Sequence, residues 1–116
     1  MEKVDLNISV KALSEITGDV TNIINGTDGK RYLDKEYSDL VFEIDYPLST
    51  KVEVKIPKAK TIADILVPIA DVYKNTIYAD ADKDNKYGVW GHGISDLYFE
   101  GIVIKETQVS ELFIGS

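Results

Sequence analysis

The 116-residue chain sets 13 Lys and Arg against 20 Asp and Glu, with one His and no Cys, for a net charge of −7. This excludes a disulfide framework, a cysteine-ligated zinc site and a cysteine nucleophile. A hydrophobic share of 44% is enough to build a core. The acidic balance argues against nucleic acid as a partner, because that binding rests on Lys and Arg neutralising phosphates.

The opening Met1-Glu2-Lys3-Val4-Asp5 has no basic stretch leading into an apolar one, so no secretory signal is expected. The most apolar run, Ile65-Leu66-Val67-Pro68-Ile69-Ala70, falls far short of the roughly 18 residues that a spanning helix needs. A cytoplasmic protein with no membrane contact is the expectation.

In chain order, Val4, Leu6, Ile8 and Val10 alternate with polar residues, which predicts a half-buried strand over 4–10. Leu13, Ile16, Val20, Ile23 and Ile24 then recur at spacings of three and four. That predicts a short helix near 11–25, with Ser9 as N-cap and Asn25-Gly26 as its stop. Residues 30–38 are polar and read as loop. Leu40, Phe42 and Ile44 mark a strand over 39–45, and Val52, Val54 and Ile56 mark another over 51–56. Pro47 turns the chain between them, making a hairpin.

Thr61 and Asp64 form a helix-opening signature. The stripe Ile62, Ile65, Leu66, Ile69 and Tyr73 carries the helix over 61–74, with a kink expected at Pro68. Residues 76–81 and 87–91 read as two short strands around an acidic turn. Further strands are predicted over 97–105 and, at an edge, over 111–114. The whole reads as one compact α+β domain over 1–116. A mainly antiparallel sheet is covered on one face by the 61–74 helix, with a shorter helix near 11–25. The hairpin followed by Thr61-Ile62-Ala63-Asp64-Ile65-Leu66 resembles the opening half of a β-grasp, ubiquitin-like domain. The resemblance covers residues 39–74, implies architecture only and transfers no function.

Three segments invite chemistry. In Asp80-Ala81-Asp82-Lys83-Asp84-Asn85-Lys86-Tyr87-Gly88, carboxylates stand at the first, third and fifth positions, as at the start of an EF-hand-like Ca²⁺ loop. Asp80, Asp82 and Asp84 are the candidate metal ligands, and Ca²⁺ is the only cofactor that the chain suggests. The loop departs from the pattern at its sixth position, where Asn85 replaces Gly, and at its twelfth, where Gly91 replaces Glu. A solvated turn is the plain alternative. Next, Gly88-Val89-Trp90-Gly91-His92-Gly93 holds the only Trp and the only His. No helix pattern follows it to meet a phosphate, so Trp90 and His92 are candidates for recognition on a glycine-rich loop. Finally, His92 with Asp96 offers a general base and its orienting group. No Gly-x-Ser-x-Gly elbow surrounds Ser95.

Charge is unevenly spread. Residues 1–60 are net −2 and residues 61–116 net −5. Asp71, Asp80, Asp82 and Asp84 form a negative region suited to steering a basic partner. The leading expectation is a small, acidic, non-enzymatic protein-binding module, of the immunity or inhibitor type, for a basic protein. Trp90, His92, Asp71 and Asp80 are its candidate binding residues. The alternatives are a small hydrolase-like enzyme using His92 and Asp96, and a divalent-ion-binding domain built on residues 80–88.

Overall fold

Some of the alternation and capping signals find a structural counterpart in the computed structural model, which describes residues 1–15, 32–81, 83–89 and 91–116. β1 (Glu2–Ser9) leads into a short helix, α1 (Val10–Ser14). Ser9 caps it, its Oγ accepting the Ala12 N–H at 3.2 Å. The remainder of the expected 11–25 helix lies outside the described residues. β2 (Tyr32–Ile44) and β3 (Val52–Thr61) form an antiparallel hairpin. α2 (Ile62–Val72) follows, and the chain stays helical through a π-helical turn (Tyr73–Ile77) and a last α-helical turn (Tyr78–Ala81). β4 (Tyr98–Ile104) and β5 (Glu111–Gly115) complete an α+β fold.

The strands form two sheets, which corrects the expectation of one. β1-β4-β5 is antiparallel with β4 in the centre, and β2-β3 stands as a pair. Among the described residues, one isolated parallel bridge, between Phe42 and Ser110, joins them. The central position of β4 explains its burial. Gly101, Ile102, Val103 and Ile104 are all covered, because neighbours flank this strand on both sides and Ile102 and Ile104 face the core.

The capping box at α2 is complete. Thr61 Oγ1 accepts the Asp64 N–H at 3.3 Å, and Asp64 Oδ2 accepts the N–H groups of Thr61 and Lys60 at 3.1 and 2.8 Å. Ile62, Ile65, Leu66 and Ile69 are all fully buried. α2 packs on β3 and α1. Burying side chains of this size contributes about 1.5–3 kcal/mol each. Pro68 lies inside α2 without ending it.

Three further corrections have local causes. Residues 32–38, read as loop, belong to β2. Leu33 and Tyr37 are its buried residues there, and a register shift between Tyr32 and Tyr37 breaks the period-two signal. β3 runs past Pro57 to Thr61. Pro57 has no N–H to donate, and the residue facing it, Asp39, adopts a positive φ of 54°. Residues 76–81, read as strand, are helical, because Ile77 extends the Ile69–Tyr73 stripe by one more spacing of four. Of the expected 87–91 strand, residues 87–89 and 91 are not in a strand, and Trp90 lies outside the described residues. Tyr87 instead offers its carbonyl to the Ser49 and Thr50 N–H groups at 2.9 and 3.3 Å. Gly88 (φ +70°) sits so close to Ser49 that a Cβ there would fall 1.8 Å from its Oγ. Only glycine lets this segment dock on the hairpin turn.

Candidate functional site

The acidic residues after α2 have mixed fates. Asp71 is exposed and accepts a hydrogen bond from Asn75 Nδ2, one helical turn on. The Asp80 carbonyl accepts the N–H groups of Lys83 and Asn85 at 3.0 and 3.1 Å. Its carboxylate accepts the Lys86 N–H at 3.1 Å. Asn85, at φ 48°, accepts the Val89 N–H at 2.9 Å through its own side chain. Asp84 is exposed, and Asp82 lies outside the described residues. Asp80 therefore ties off the helix end, a role that needs no cation. Among the described residues, no group of three or more His, Cys, Asp or Glu side chains converges as a metal site.

His92 is half-buried and belongs to a polar aromatic network at one end of the hairpin. Its Nε2 lies 3.3 Å from the Tyr46 hydroxyl, and the rings are 5.6 Å apart at 53°. Tyr46 Oη also lies 2.7 Å from Ser116 Oγ. Tyr73 donates its hydroxyl to the Tyr46 carbonyl at 2.7 Å, and Tyr78 donates to the His92 carbonyl at 3.0 Å. Burial raises the Tyr73 phenol, and it pushes Tyr78 up to about 12 with help from the Asp96 charge. Both hydroxyls therefore remain protonated donors at neutral pH and serve to pin the backbone. Asp96 is turned elsewhere. Its Oδ2 accepts the Gly93 N–H at 3.2 Å and closes the 3₁₀ turn Ile94–Asp96. The partner that the structure gives His92 is Tyr46, 46 residues away in sequence. Trp90 lies outside the described residues.

A second surface carries exposed apolar side chains. On the outer face of the β1-β4-β5 sheet, Tyr98 and Phe113 are 44% and 47% exposed. Register places them together: Tyr98 faces Gly115, Phe113 faces Gly101, and Gly101 also faces Asp5 of β1. Gly101 supplies the space, since a Cβ there would lie 3.0 Å from the Val4 carbonyl oxygen and 3.8 Å from the Phe113 ring. Phe113 thus stands as a wall between two hollows. One, of about 300 Å³, is bounded by Lys3, Asp5, Glu100 and Gly101. The other, of about 310 Å³, is bounded by Glu43, Asp45, Lys105, Val109 and Glu111. Carboxylates outnumber amines in both.

Sequence reasoning missed Phe113, Tyr98 and Tyr46. A signal for Phe113 exists in Leu112-Phe113-Ile114. Three consecutive apolar residues on a strand cannot share one face, so one of them must point outward. Comparison with protein-family models, with curated proteins and with solved structures finds no match.

Proposed function

We propose that this protein is a non-enzymatic module that binds a basic protein, in the manner of an inhibitor or immunity protein, through the outer sheet face around Phe113. One observation carries the reading. Two half-exposed aromatic rings share a sheet face with Asp5, Glu100 and Glu111. Aromatic anchors inside an acidic rim supply the two things that a basic partner needs: apolar area to bury, and charge that speeds its approach. The reading favours the sheet face over the helix end, where Asp80 is engaged in the turn although Asp71 and Asp84 are exposed. The experiment is retention of basic proteins from source-cell extract on wild type and on Phe113→Asp, followed by association kinetics with the retained protein. The reading expects one basic protein lost from the variant and an on-rate that falls with salt. Equal retention on both forms overturns it.

A further inference from the structure

β2 and β5 are neighbours for one residue and then part. Ser110 N–H donates to the Val41 carbonyl at 2.7 Å, and Phe42–Ser110 is an isolated parallel bridge. No further paired residues join the two strands among those described. Main-chain groups alternate in direction along a strand. Since Ser110 turns its N–H toward β2, Leu112 and Ile114 do so as well, while Glu111 and Phe113 turn toward β4. On the facing side, Glu43 follows Val41 in turning its main chain toward β5. The gap between them is the hollow of about 310 Å³ beside Phe113. Its far end is spanned only by the exposed contact between Tyr46 and Ser116.

We infer that this cleft accepts an extended, basic segment of the partner protein as an added strand along β5. The inference rests on the function proposed above and names the part of the partner that enters. Two properties of the cleft select that occupant. Main-chain donors and acceptors at Leu112 and Ile114 are met by another extended chain, the mode of recognition in which backbone pairing gives affinity and side-chain pockets give specificity. The rim is acidic, with Glu43, Asp45 and Glu111 against Lys105. Glu43 and Glu111 hold Lys51 and Lys105 at 3.0 and 3.5 Å, each pair with one exposed and one half-buried member, so both remain open to water. Exposed pairs are weak, so incoming Lys or Arg side chains on alternate residues can replace these partners.

The test uses two synthetic peptides of equal length and charge with blocked ends, one alternating Lys and Thr and one alternating Lys and Pro. The first can add as a strand, and the second cannot, because proline removes the main-chain donors. The inference expects the Lys-Thr peptide to bind at least about tenfold more tightly. Its binding must also slow amide exchange at Leu112 and Ile114, and Leu112→Pro must abolish the difference between the peptides. If that variant fails to fold, exchange in the wild-type chain still decides. Equal affinity for both peptides, unchanged exchange at the two amides, or binding of neither overturns the added strand. The outcome with Phe113→Asp in extract is read separately, so loss of the strand and loss of the binding function are distinguishable.

Discussion

Glu2 and Glu111 carry the same carboxylate on opposite edges of the three-stranded sheet, and their surroundings treat it in opposite ways. Glu2 is 6% exposed. It accepts the Asp34 N–H at 3.1 and 3.2 Å through its two oxygens, and the Tyr37 hydroxyl at 2.8 Å. It therefore staples the start of β2 onto β1, and every contact it makes is internal. Glu111 lies on the exposed edge, with Lys105 as its ion-pair partner and half of its side chain in water. A buried charge must be matched by donors within the fold, or it costs several kcal/mol. An exposed one is already solvated and can exchange partners. The sheet thus keeps its buried, internally matched carboxylate apart from its solvated one.

The sharpest way to break this comparison is Glu2→Ala. It leaves the Tyr37 hydroxyl buried without an acceptor and should cost about 1–3 kcal/mol. Urea unfolding would show a lower midpoint with an unchanged slope. A midpoint equal to wild type would show that the staple is ornamental. Alkaline unfolding tests the same contact from the other side. Burial, reinforced by the Glu2 hydrogen bond, pushes Tyr37 up to about 12, against about 10 in the unfolded chain. Its contribution to stability is therefore complete below pH 10 and is lost as pH rises through 12. Tyr37→Phe should flatten that alkaline loss in melting curves taken across pH 9–12.

Asp64 sharpens the comparison, because it is exposed and yet structural. Asp64→Ala removes the capping box and should lower stability by about 0.5–2 kcal/mol, read by thermal melting. Exposure alone therefore does not mark a carboxylate as interactive; the test is whether it already holds backbone donors. The smallest stability effect is expected for Glu111→Gln, within about 0.5 kcal/mol. With the basic partner in hand, the same variant should slow association and reduce its dependence on salt, as stopped-flow mixing would show. A large stability change with unaltered association would place Glu111 with Glu2.

Local signals in the sequence were reliable where one residue pattern served one purpose. β3 shows plain alternation, and Thr61-Ile62-Ala63-Asp64 forms the capping box that its residue types require. Signals failed where geometry departs from the ideal period. Leu33 and Tyr37 are four apart because β2 shifts register between Tyr32 and Tyr37, so no alternation was visible there. Ile77 could be assigned to the helix stripe only by knowing that the chain stays helical through a π turn. The candidate site was less legible still. His92 meets Tyr46, and Tyr46 meets Ser116, across 46 and 70 residues of sequence. Nothing local to any of the three announces the others. Phe113 was countable as an apolar residue with no room inside, but only the register of β4 and β5 places it beside Gly101 and opposite Asp5.

The way β5 is held has a mechanical consequence. Among the described residues its five residues pair along their length with β4 alone, and its other flank pairs with β2 only at the bridge just before the strand begins. A force applied at Gly115 and directed across the strands loads the β4–β5 bonds one after another, as in opening a zip. The Ser110–Val41 bond is reached only at the end of that sequence. Held instead along the strand axis, the same bonds share the load at once. In a force spectrometer β5 should peel off at low force before the rest of the fold yields, and the step should end where Ser110 meets β2.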